Sequence, residues 1–197
     1  MRIAAISAVA VYAIVLAALP ARATANTPVT AGVSAGVHHD EVDADGEGNR
    51  TLGLFGRVGF AKRLSGQLEV MKIDTDDATY TATNIRTATV SLRLDLIDPA
   101  RSRFVPTISF GAGIDRASTD YDTTEGHHFE GGFGLEYRAE GGFTIGVDLR
   151  FGGRSIEDED VAVPAVEGDV ARPLIYDGGG LREGEYRALR ATAGIAF

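Results

Sequence analysis

Two parts of this chain carry residue types whose spacing could do chemistry. In HHDEVDADGEGNR, Glu41, Asp43, Asp45 and Gly46 fall at positions 1, 3, 5 and 6 of a calcium-binding loop. Carboxylates on alternate residues can converge on a hard cation, and a glycine at the sixth position allows the sharp turn. The fit then fails. Position 1 is Glu where Asp is the rule, and position 12, the bidentate Glu, is Leu52. An EF-hand is therefore not expected; a weak divalent site on Glu41, Asp43 and Asp45 and a solvated loop tip both stay open. The second part is the histidines, His38, His39, His127 and His128. A hydrolytic site needs an imidazole beside a hydroxyl and an acid. None of the four lies in an H-x-S pairing, so they are expected at the surface or as loop anchors.

The elements that would position these residues read as strands. Alternation with period two recurs along the chain, and helix-period segments are hard to find. VTAGVSAGV, TLGLFGRVGF, SGQLEVMKI, IRTATVSLRLDL, RFVPTISFGAGI, HFEGGFGLEYR, FTIGVDLRF and the closing RALRATAGIAF make eight such segments. The third is the least regular. Leu68 and Val70 share a face, while Met71 and Ile73 fall on the other, which suggests a bulge. Strands of about ten residues match a tilted crossing of a bilayer. The connections alternate: short ones at AKRLSG, IDPARS and AEGG, and long ones at 39–50, 74–84, 115–126 and 155–185. That is the pattern of a membrane barrel, with short turns at one end and longer loops at the other.

The faces follow from their contents. One parity is apolar throughout. The other carries small residues together with Arg57, Glu69, Arg93, Asp95, Glu136, Asp148, Arg150 and Arg190, four acids against four arginines. An eight-strand barrel has an interior just wide enough for side chains. Opposite charges can fill it, while the apolar face meets lipid. Glycines 53, 59, 111, 113, 132, 134 and 146 share the charged parity and would make room there; with no strand-to-helix context they form no phosphate loop. In hydrocarbon, an open sheet edge would leave backbone groups unpaired, so closure is required. The last strand must then pair with the first. That explains a chain whose final residues alternate to a bare Phe197, level with Phe60, Phe104, Tyr137 and Phe143 in an aromatic girdle.

The N-terminal segment MRIAAISAVAVYAIVLAALPARATA has one early charge, an apolar run, Pro20 and A-x-A sites. It reads as a signal peptide over residues 1–25, leaving 26–197 as one domain. Cysteine is absent, which excludes disulfides and a thioether lipid anchor. The formal charge of −9 and pI near 4.9 argue against nucleic acid as a partner.

On FVPTISFGAGID, GFGLEYRAEGGFTIGVDLRF and the terminal ATAGIAF, the chain resembles the small eight-stranded outer-membrane barrels of the OmpA/OmpX type. The resemblance covers essentially all of 26–197. It implies an all-β, closed, antiparallel up-and-down transmembrane barrel behind a cleaved signal peptide, with both termini periplasmic and the long acidic loops extracellular. It also implies that Ala193, Ile195 and Phe197 form the signal read by the barrel-assembly machinery. No cofactor is implied, and a monomer is expected.

Two further charge patterns suggest partners. Most of the 28 acidic residues fall in the four long connections, which suits solvated loops or divalent-bridged contacts. Arg50, Lys72, Arg86, Arg116 and Arg187 lie near the outer strand ends on the apolar parity, whereas Arg154 takes the other parity. Charges cost little at that level because their stems snorkel. They are expected to meet lipopolysaccharide phosphates. The function expected is structural or surface-interactive and non-enzymatic, with the lumen plugged by paired charges. A lipid A-modifying enzyme and a small low-conductance channel are the alternatives.

Overall fold

The computed structural model describes residues 28–40, 48–74, 84–118, 123–156 and 184–197. They form eight strands: β1 (Val29–Asp40), β2 (Asn49–Ala61), β3 (Leu64–Asp74), β4 (Asn84–Asp95), β5 (Phe104–Ser118), β6 (Thr123–Arg138), β7 (Phe143–Ile156) and β8 (Gly184–Ala196). Each pairs antiparallel with the next, and β8 pairs with β1 from Thr30↔Ala196 to Asp40↔Tyr186, closing the barrel. Beyond that ladder, the Phe197 amide donates to the Val29 carbonyl at 2.8 Å. The end carrying the start of β1 and the finish of β8 is called the terminal end below; the opposite one is the loop end.

Alternation along each strand sorts side chains between two environments, and the sorting is the reverse of that in a soluble barrel. Leu54, Phe110, Phe129 and Phe133 stand outside, 63–72% exposed. Arg190, Glu136, Glu69 and Arg150 lie inside, at most 3% exposed. Outside at the terminal end, Phe60, Phe104, Phe143 and Phe197 are all exposed, and Phe104 packs against Tyr137 with ring centres 5.0 Å apart.

The turns follow local chemistry. Gly141 and Gly142 take φ of 87° and 85° between β6 and β7, a conformation that costs glycine little. Pro106 is tolerated within β5 because its carbonyl faces β4 just past that strand's end, where the Leu96 amide donates to it at 2.8 Å. The side lacking an N–H therefore interrupts no ladder.

Two expectations need correction. β3 pairs with β4 without a break from Leu64↔Leu94 to Asp74↔Asn84, so no bulge accounts for Met71 and Ile73. Both point inward and are buried. The register shift lies instead in β2, between Gly59 and Ala61. Nor do short and long connections strictly alternate. β5 and β6 remain paired out to Ser118↔Thr123, so their connection is only 119–122, shorter than the 96–103 connection between β4 and β5. Strands that project past the bilayer need no apolar outer face, so hydropathy alternation stops before the ladder does.

Candidate functional site

All eight charged residues singled out from the sequence are buried inside the barrel. Glu136 of β6 is the centre of the terminal half. It accepts from Arg57 Nη1 of β2 and from Arg138 Nε, each at 2.7 Å, and Arg93 Nη2 of β4 lies 2.9 Å away as an ion pair. Arg138 also donates to Asp95 at 2.8 Å. From Arg57 the contacts run on through Gln67 (3.1 Å) to Glu69 (3.4 Å). Glu69 in turn accepts from Ser34 of β1 at 2.6 Å and from Arg190 of β8 at 2.8 Å. Deeper along the lumen, Arg150 pairs closely with Glu130 and lies 3.8 Å from Asp148, and the Tyr186 hydroxyl donates to Glu130 at 3.3 Å. Gly132 lets the Arg150 side chain lie flat: a Cβ there would come 2.6 Å from Arg150 Cδ and 2.7 Å from the Leu149 carbonyl oxygen.

A second network, at the loop end, was not anticipated. Asp115 of β5 accepts from Arg154 Nε at 2.8 Å and from His128 Nδ1 at 3.1 Å, and the Thr87 hydroxyl bonds it as well. His128 Nε2 meets the Thr89 hydroxyl at 3.0 Å. That reach spans β5, and it is possible because Gly113, the residue paired with both Thr89 and His128, has no side chain under the ring. Arg154 also contacts Asp40 at 3.3 Å and stacks over Tyr186, and Tyr186 packs against His38 with ring centres 4.7 Å apart. His38 and His128 are therefore interior residues, 3% and 2% exposed, and not loop anchors. Asp115, assigned from the sequence to a loop, is an interior strand residue. Just beyond this network, Ile73, Ile85 and Ala117 form a dry cluster inside the barrel, with Ile156 packed against it.

The order hydroxyl, imidazole, carboxylate in Thr89, His128 and Asp115 is that of a nucleophile relay. Its setting does not suit turnover. Thr89 is 2% exposed, and the adjoining cavity, lined by His38, Thr89, Glu130 and Tyr186 among others, measures about 10 Å³, room for a single water. Asp115 is also engaged by Arg154. The network fits a strut that ties β4 to β7.

Outside, Arg50, Lys72, Arg86, Arg116 and Arg187 are all exposed near the loop end. They are not evenly spaced. Lys72 is paired across the sheet with Arg86, and Arg86 with Arg116, which gives an unbroken row over β3, β4 and β5. Arg50 stands opposite Asp74, and Arg187 stands apart, opposite Phe151 and His39. Ile195 at the end of β8 and Phe197 just past it are exposed on the apolar side, and Ala193 is half-buried there. The acidic positions Glu41, Asp43 and Asp45, the segment 1–25 and the whole 157–183 connection between β7 and β8 lie outside the described residues.

A closed barrel with an apolar exterior and a charged interior defines a protein that crosses a membrane with strands. The model of the outer membrane protein beta-barrel domain matches residues 9–170, and the chain belongs to that family. Among solved structures, Neisserial surface protein A superposes with a TM-score of 0.58 at 12% identity, over 87% of this chain and 97% of that one. The major outer membrane protein of Thermus thermophilus gives 0.54 at 13% identity, over 87% and 99%. The N-terminal barrel of Pseudomonas aeruginosa OprF gives 0.52 at 13% identity, over 85% and 97%. At these identities the likeness is one of fold. No curated protein sequence matches the chain.

Proposed function

We propose that this protein is a non-catalytic, non-conducting outer-membrane barrel with a structural or surface-contact role. It stands with its termini in the periplasm and its acidic loops outside. The observation that carries this reading is the filling of the lumen. Ion pairs and hydrogen bonds run from Asp95 and Glu136 at the terminal end to Asp115 and Arg154 at the loop end, and the aliphatic cluster of Ile73, Ile85 and Ala117 lies beyond them. Side chains from opposite walls meet across the lumen, Arg57 with Glu136 and Arg190 with Glu69, so a permeating solute would have to displace them, even though Arg57, Arg93, Arg150 and Arg190 each keep a buried nitrogen with no hydrogen-bond partner among the described residues. The barrel wall becomes a rigid platform for whatever its loops touch: a neighbouring cell, the envelope, or lipopolysaccharide at the exposed cations. It acts as a monomer, and Ala193, Ile195 and Phe197 present the strand that the assembly machinery recognises.

Planar-bilayer recording tests the plug. The purified, folded barrel is expected to give no stable single-channel steps, because passage would require breaking several buried pairs at once. Reproducible steps from the wild-type protein would replace this reading with that of a small channel. A lipid A-modifying activity finds less support in the geometry, since the Thr89–His128–Asp115 chain lies inside the barrel and lipid lies outside. Unchanged lipid A in the mass spectra of cells with and without the gene is the expected result.

A further inference from the structure

The row Lys72–Arg86–Arg116 is an arrangement that a sheet does not adopt without reason. Like charges directly opposite on neighbouring strands destabilise a sheet, and here two such pairs are consecutive. The two ends of the row are held by carboxylates: Lys72 by Asp74 at 2.5 Å and Arg116 by Glu125 at 3.8 Å. Arg86, between them, has no ion pair or hydrogen bond among the described residues. Three strands put the row across roughly 10 Å of surface. Directly toward the terminal end, the same face continues as a shallow apolar floor. Ala88 is paired with Val70 and Ile114, and Val90 with Leu68 and Ala112; Phe110 bounds the floor on β5. Val70, Val90 and Ile114 are each 40–50% exposed. A cation row above a low apolar floor complements an amphiphile with anionic groups at one end and hydrocarbon at the other.

We propose that this face of β3–β5 is a single, asymmetric binding site for a phosphorylated glycolipid of the outer leaflet, with its phosphates on Lys72, Arg86 and Arg116 and its acyl chains on the Val70–Ala88–Ile114 floor. The site rests on the reading above that the loop end faces outward. It differs from an even girdle in placing most of the affinity on three residues and little on Arg187.

The test uses purified barrel in detergent micelles, with lipid A carrying both phosphates as the probe and dephosphorylated lipid A as its control. The triple variant Lys72→Glu, Arg86→Glu, Arg116→Glu is compared with a charge-matched triple at the terminal end, Lys62→Glu, Arg101→Glu, Arg103→Glu, all of them exposed. With three phosphate-facing cations reversed, the row variant is expected to bind lipid A at least about tenfold more weakly. The matched control should lose less than about twofold, and dephosphorylated lipid A should not tell the variants apart. Equal losses in the two triples, or none in the row variant, would overturn the site. Gel mobility with and without heating confirms that each variant is folded, and Lys72→Ala, Arg86→Ala, Arg116→Ala repeats the comparison without added negative charge. Protease access to the 157–183 connection in intact cells tests orientation separately. Cleavage from outside is expected, whereas protection alongside intact lipid A binding would contradict the orientation and leave the site standing in vitro.

Discussion

Replacing Glu136 with alanine is expected to destabilise the folded barrel by about 3–5 kcal/mol, the usual result of removing one partner from a buried charge cluster. The reason is how many groups depend on this one carboxylate. Arg57, Arg93 and Arg138 all lie within 2.9 Å of its oxygens, and the residue is 1% exposed. Without it, guanidinium groups face one another inside a narrow lumen, and Asp95 is the remaining acid beside Arg93 and Arg138. Water can reach such a site only by loosening the wall. Glu136→Gln keeps the shape and one accepting oxygen, so its loss should be roughly half as large. Urea unfolding in lipid vesicles, read by the fraction of protein that keeps the folded gel mobility, measures both. A loss below about 1 kcal/mol for the alanine variant would mean that the arginines find other partners and that Glu136 is not the keystone of the cluster.

The second large effect is expected at the other end of the lumen. Asp115→Ala removes the shared acceptor of Arg154, His128 and Thr87 and should cost about 2–3 kcal/mol, in the range of buried hydrogen bonds to charged groups. The loss should be smaller than at Glu136 because Arg154 retains Asp40 at 3.3 Å. It should also be local. Asp115 ties β4, β6 and β7 together near their loop-end termini, so hydrogen exchange should accelerate there while the terminal half keeps its protection. Uniform acceleration around the barrel would show that the two networks act as one.

The architecture was legible because a lipid-facing barrel writes its pattern in period two. Arg57, Glu69, Arg93, Asp95, Glu136, Asp148, Arg150 and Arg190 sit among apolar neighbours of opposite parity, so their inward direction could be read from spacing alone. The loop-end network was hidden because that cue fades where strands leave the bilayer. Asp115 sits on the same parity as Ser109, Gly111 and Gly113, and Arg154 on that of Asp148, Arg150 and Gly152. Arg154 already takes the inward parity in the sequence, and extending that reading past the last apolar residue of β5 turns Asp115 inward as well. His128 was harder to foresee, because its contact with Thr89 depends on Gly113 lying between them on β5. Met71 and Ile73 misled for the opposite reason. Apolar side chains on the charged parity suggested a bulge, whereas they fill the barrel near its loop end. The row on β3–β5 needed registers, since sequence gives each cation's face but not its neighbour across the sheet.

The apolar face must meet hydrocarbon for the charged face to lie inside. The chain has no tryptophan, so a single Phe133→Trp substitution places one emitter on the outer face of β6, at a position 63% exposed. The first measurement to make is its fluorescence in bilayers whose acyl chains carry bromine. Blue-shifted emission that these lipids quench strongly is the expected result. Emission characteristic of water, indifferent to brominated chains, would contradict the assignment of faces and with it the lumenal networks built on it.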